Sequence, residues 1–192
     1  MKVSREQANE NRERVLQVAA QLFRERGFDG VGLADIMKSA GLTHGGFYGQ
    51  FASKEELMAQ ASTRAFDGGV AWWKQLAADM PEQPLEAVTS RFLSTSHRDK
   101  PGKGCWVAAL GSEVARQPPS VRHALTEGIT AMVGLLGQWM PGRSKASKRE
   151  KALAAYASMI GGLVLARAVD DAALSEEILQ SVARSLPKAA AV

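Results

Sequence analysis

The sequence predicts an all-α protein of about nine helices, with a small three-helix head at the N-terminus and a larger helical bundle behind it. Two observations carry that expectation. Apolar residues recur at i, i+3, i+4, i+7 along the chain, and no segment shows the sustained alternation of a half-buried strand. Helix start and stop signals also fall between the periodic stretches: Gly27, Ser53, Pro84 and Pro118-Pro119. At 192 residues the chain can bury a substantial core.

The first helix sets Val15, Val18, Ala19, Leu22 and Phe23 on one face and stops at Gly27, a C-cap signal. A short second helix follows, with Leu33, Ile36, Met37 and Ala40 on one face. Gly41 supplies a turn, and Thr43 offers an N-cap hydroxyl to a third short helix. Phe47 and Phe51, four apart, anchor that helix, while His44, Gly45 and Tyr48 point elsewhere. Ser53 and Glu56 form a capping box that starts a long fourth helix, with Leu57, Ala61, Ala65, Gly68, Trp72 and Leu76 in register. This helix should connect head to body.

Pro84 opens a helix carrying Leu85, Val88 and Phe92, and loop residues 99–104 lead into another from about 105 to 116. Pro118-Pro119 start a helix with a continuous stripe from Val121 through Met132 to Trp139. Residues 141–144 read as a solvated connector. The helix from about 147 to 169 differs from the others, being apolar nearly all round between Ala152 and Ala166. Such a helix must be covered on every side, so one face is expected to meet a second copy of the chain. Ala154, Ala157, Ser158, Gly161 and Leu165 are the expected contact residues, joined by Ile178 and Val182 of the last helix, about 174 to 186.

Two short helices joined by a glycine turn are the ingredients of a DNA-reading helix-turn-helix. The run Val15 to Phe28, with Asp35-Ile36, Ala40 to Thr43, Phe47 to Phe51 and Ser53 to Leu57, resembles the TetR family of transcription regulators over about fifty residues in order and spacing. The resemblance implies a head over residues 1–54 and a ligand-binding and dimerisation body over 55–192. It implies a cytoplasmic homodimer, most often a repressor, that binds a palindromic double-stranded DNA operator and is released by a small apolar or electrophilic effector. It also implies that Tyr48 and Lys54 contact phosphate. Gly32 departs from the family pattern, standing where a Ser or Thr usually caps the second helix, so a phosphate contact there would rest on backbone N–H alone. Met37 replaces a usual small residue.

Within the reading segment, Thr43 can serve as cap and phosphate ligand, His44 can donate to or accept from a base edge, and Lys38 is a further phosphate candidate. Gly45 and Gly46 each disfavour a helix by about 1 kcal/mol relative to Ala. Either missing side chains let the backbone press against the groove floor, or a helix trapped by Phe47 and Phe51 tolerates weak propensity. In the body, Phe66, Trp72, Trp73, Phe92, Trp106, Met132, Trp139 and Met159 could line an effector cavity, and Trp72, Trp106 and Met132 are singled out with Cys105. Cys105 follows Lys100-Pro-Gly-Lys-Gly104 at a helix start, where helix dipole and lysine charge would lower a thiol pKa. The resemblance extends to a Gly-Cys at this place in regulators that respond to electrophiles or oxidants. The plainer alternative is a small buried residue beside Trp106.

Composition narrows the function class. The net charge is +4 with a pI near 9.4, but the first 54 residues hold eight Lys/Arg against six Asp/Glu, so a DNA-facing surface must be basic by local arrangement. One cysteine excludes an intrachain disulfide framework and fits a reducing cytosol. The N-terminus has no apolar signal core, and the longest apolar run is too short to span a bilayer. No metal-ligand spacing, phosphate loop or catalytic constellation is visible, so neither an enzyme, a metal nor a cofactor is expected.

Overall fold

A computed structural model describes residues 4–187. Among them are nine α-helices and no strand: α1 (Arg5–Arg26), α2 (Leu33–Ser39), α3 (Lys54–Asp79), α4 (Pro84–Phe92), α5 (Thr95–Arg98), α6 (Trp106–Val114), α7 (Pro119–Trp139), α8 (Lys145–Ala168) and α9 (Ala172–Ser185). The starts follow local chemistry. The hydroxyls of Ser4, Ser53, Ser94 and Ser144 and the carboxylate of Asp171 each accept a first-turn N–H, and proline sits in the first turn of α4 and α7. At α3 the capping box is displaced by one residue: Glu56 accepts from Ala52 N at 2.7 Å rather than from Ser53 N.

α3 is the spine. It packs most extensively on α7, then on α1, and α8 lies between α7 and α9. The head's core is built from Val15, Ala19 and Phe23 of α1, Ile36 and Met37 of α2, and Phe47, Phe51 and Leu57, all at most 1% exposed. The body's core continues through Trp73, Val88, Leu110, Val121, Leu136 and Met159.

The expected third helix is reduced to a single 3-10 turn, His44–Gly46, followed by hydrogen-bonded turns to Phe51. Thr43 occupies the N-cap place with extended backbone, but its hydroxyl caps nothing. Two consecutive glycines explain why the helix does not propagate. The segment is held by packing instead: Phe47 and Phe51 stack at 5.6 Å and are sealed into the head. Burying two Phe side chains contributes roughly 2–3 kcal/mol each, against about 1 kcal/mol lost at each glycine, so anchoring wins.

The stretch 99–104, expected as loop, contains a 3-10 turn, Pro101–Lys103, and is preceded by the short α5, unassigned from the sequence. α8 buries Ala152, Ala155, Tyr156, Met159, Gly162, Leu163 and Ala166 and leaves its other side uncovered. Leu153, Val164 and Leu165 are 45%, 40% and 56% exposed, alongside exposed Ala154, Ala157 and Ser158 and half-buried Gly161. Ile178 and Val182, expected on that outer face, are half-buried against the chain's own core; Val182 fits over Gly162 in the α8–α9 seam.

Gly41 adopts φ +71° in the turn after α2, and a Cβ built there meets nothing within 4 Å. The expense of a side chain at this position is therefore torsional only. Gly41→Ala should destabilise the protein by about 1–2 kcal/mol, read as a lowered urea midpoint at unchanged slope. An unmoved midpoint would remove the left-handed turn from the account.

Candidate nucleic-acid interface and body cavity

The turn between α2 and α3 presents polar groups outward. Thr43, His44 and Gly45 are exposed, Gly46 is half-buried, and Tyr48 is 67% exposed. The Tyr48 ring rests edge-on against Phe47 at 5.1 Å, which orients it without enclosing it. No protein atom lies within 4 Å of a Cβ built on Gly45. Internal packing therefore gives no reason for this glycine. Lys38 and Gly32 are exposed beside the turn, and Gly32 starts α2 with no side-chain cap, leaving the first amides of the helix uncapped.

Lys54 has a second role, which the sequence did not reveal. Its ammonium donates to Phe28 O at 2.6 Å and Val31 O at 2.9 Å, closing the loop between α1 and α2. These bonds use two of its three N–H donors, so Lys54 holds the loop in place and keeps one donor for the expected phosphate contact. The pairing joins residues far apart in sequence, so nothing local could have revealed it.

Behind the head lies a cavity of about 380 Å³. All four singled-out body residues, Trp72, Cys105, Trp106 and Met132, line it, with Phe66, Trp73 and Phe92; Trp139 and Met159 do not. The cavity also reaches α1, through Gln17, Ala20, Gln21 and Arg24. Arg24 donates from Nε (2.8 Å) and Nη2 (2.5 Å) to the Gly102 carbonyl and lies 5.7 Å over the Trp106 ring. Phe28 N donates to Glu113 of α6 at 2.9 Å.

Cys105 sits in a polar shell drawn from several elements. Its backbone N–H donates to His97 Nε2 at 3.0 Å, and His97 Nδ1 lies 2.6 Å from Phe92 O. A carbonyl only accepts and an amide only donates, which fixes a neutral ring with its proton on Nδ1. Burial, with Arg167 and Arg91 as like charges, keeps the His97 pKa below the usual value even against the Phe92 hydrogen bond. Arg167 donates to the carbonyls of His97 (2.9 Å) and Arg98 (3.1 Å). A Cβ on Gly104 would fall 2.8 Å from His97 Nε2 and 2.9 Å from Arg167 Nη2, so only glycine fits before the cysteine. His97 was invisible as a functional residue in the sequence because its partners come from α4 and from the start of α6.

The thiol itself contradicts the lowered-pKa expectation. Burial pushes it up, and this outweighs the amides of Ala108 and Val107, Arg167 and the Tyr156 hydroxyl, all of which pull down. The helix terminus acts as expected, but desolvation is larger, and the cation that matters is Arg167 of α8 rather than a neighbouring lysine.

The sequence profile described as bacterial regulatory proteins, tetR family, matches residues 15–61, the span from α1 through the reading turn into α3. Residues 15–61 therefore carry the sequence pattern of the tetR family of bacterial regulatory proteins. Curated relatives carry matching descriptions. The HTH-type transcriptional repressor NemR of Escherichia coli is 27% identical over 133 residues, covering 68% of this chain and 67% of that protein. The repressor KstR2 of Mycobacterium tuberculosis is 33% identical over 89 residues, 46% of this chain and 44% of its own length. The TetR fold extends beyond the head: the crystal structure of reduced E. coli NemR superimposes with a TM-score of 0.77 at 22% identity, over 95% of this chain and all of that one. Among the described residues no helix is long and apolar enough to cross a membrane.

Removing the Lys54 ammonium leaves two part-buried carbonyls without a donor, so Lys54→Met should destabilise the head by about 1–3 kcal/mol in urea unfolding. An unchanged midpoint would return Lys54 to the surface. Cys105, held protonated, should react with iodoacetamide at least about tenfold more slowly than a free thiol at neutral pH, and speed up only above the ordinary thiol range. Because the folded thiol pKa is raised, its stabilisation is complete below the unfolded value and is lost as pH rises through the folded one. A fast reaction at neutral pH would overturn the burial argument.

Proposed function

We propose that this chain is a cytoplasmic, homodimeric transcriptional repressor that reads a near-palindromic DNA operator and releases it when an effector fills the body cavity. The observation that carries the reading is the turn at 43–48. It is anchored from inside by Phe47 and Phe51 and turns Thr43, His44, Gly45 and Tyr48 to solvent. A rigid outward-facing helix-turn-helix suits the major groove. The exposed Tyr48 hydroxyl, the Thr43 hydroxyl and Lys38 are the phosphate ligands, the uncapped amides at Gly32 add to them, and His44 reads a base edge. Gly45 and Gly46 let the backbone approach the groove floor, a reading supported by the open space around Gly45.

The uncovered side of α8 is the dimer face. Ala154, Ala157, Ser158 and Gly161 allow close approach of two backbones, flanked by exposed Leu153, Val164 and Leu165. Two heads held about 34–36 Å apart would enter successive major grooves. The effector binds a head spacing that no longer matches this repeat more tightly than the DNA-bound spacing, since equal affinity for both would shift nothing.

Binding of the purified protein to duplexes from upstream of its own gene, read by fluorescence anisotropy, tests this directly. Tyr48→Phe should weaken operator binding about tenfold, the loss of one hydrogen bond to a charged group. Leu165→Arg should convert a dimer into a monomer in sedimentation and lower operator affinity with it. Saturable binding that neither variant disturbs would dismantle both assignments.

A further inference from the structure

The wall of the cavity is chemically one-sided. Arg24, Arg64 and Lys103 line it, and no aspartate or glutamate does. Arg64 is already paired with Glu13 at 3.2 Å. Arg24 is not paired: it forms no ion pair among the described residues, Nε and Nη2 share the Gly102 carbonyl, and Nη1 has no acceptor. Its neighbour Glu25 accepts from Gln21 instead. Burial draws the Arg24 pKa down to about 10, against the smaller opposing pull of Cys105 and Glu25. Lys103 is exposed and likewise makes no ion pair. Trp106, only 3% exposed, has an indole N–H with no acceptor. His97 adds no charge, being held neutral. Buried donors and cations without acceptors are unfavourable unless something supplies the missing oxygen.

The remaining wall is aromatic, and its volume admits a molecule of one or two rings. We infer that the cavity takes an aromatic carboxylate, its anion held by Arg24 and Lys103 and its ring against Phe66, Trp72 and Trp73. A planar guanidinium matches a carboxylate two-pronged, which favours this anion over a bulkier one in so apolar a space. This inference rests on the cavity being the effector site and names the class of effector. It also couples the site to the head. Arg24 belongs to α1, and its present acceptor, Gly102, precedes Cys105 in the loop; a carboxylate that takes the guanidinium frees that carbonyl and loosens α1 from the body.

Tryptophan fluorescence and calorimetry of the full chain, titrated with naphthalene-2-carboxylate and with its neutral carboxamide, test this. The carboxylate should bind saturably and at least about tenfold tighter than the amide, the worth of one charge-assisted contact. Arg24→Met should erase that preference, and added carboxylate should lower operator affinity in the wild-type protein. Equal binding of acid and amide, no saturable binding of the acid, or an unchanged preference in the variant would overturn it. If Arg24→Met does not fold, Lys103→Gln, an exposed site, must weaken the acid several-fold and spare the amide. Operator binding by the ligand-free protein separates the two failures. A chain that binds operator but ignores the acid sinks only this inference. A chain that ignores operator sinks the regulator reading and leaves the binding result standing.

Discussion

One guanidinium, that of Arg24, ties the DNA-reading head to the wall of the cavity. It leaves α1 and closes on a single backbone oxygen, Gly102, in the loop that leads to Cys105. Phe28 N on Glu113 adds a polar contact across the junction, and Lys54, at the start of α3, holds the carbonyls of Phe28 and Val31 on the head side. Around them Phe23, Phe28 and Trp106 form a continuous aromatic contact, with ring centroids 5.1 and 5.9 Å apart. Such bonds are stronger in surroundings poor in water, and they add direction to an apolar core that runs from the head into the body.

The fold was largely legible in the amino-acid order because its information is local. Periodicity located each long helix, and the caps at Ser53, Pro84, Pro119 and Ser144 set the starts close to where they were expected. The site was less legible for the opposite reason. Arg24, Lys54 and His97 look like solvated polar residues until folding brings them to carbonyls and amides in other elements. Cys105 shows the same failure in sharper form: its neighbours in sequence argue for an acidic thiol, whereas the folded body desolvates it and raises its pKa even against Arg167 and Tyr156 of α8. Glycine propensity was on view at Gly45 and Gly46, and it decided the length of the reading segment where spacing alone suggested a helix.

The two ends of the molecule are stabilised by different physics. At the reading turn, stacked and sealed phenylalanines anchor a series of hydrogen-bonded turns from inside, so the exposed residues can vary without unfolding it. Along α8 the small residues Ala154, Ala157, Ser158 and Gly161 leave the outer side flat, while Gly162 receives Val182 on the inner side. A single helix thus packs a close seam within the chain and leaves an apolar side exposed.

The continuity of α3 has a mechanical consequence. Its 26 residues make an unbroken rod of about 39 Å, with its first turn bolted to the head through Lys54 and its middle forming much of the cavity wall. Such a rod acts as a lever arm: a swing of about 4° pivoting at one end carries the other about 3 Å, so a sub-ångström adjustment beside Trp72 is magnified by the time it reaches the head.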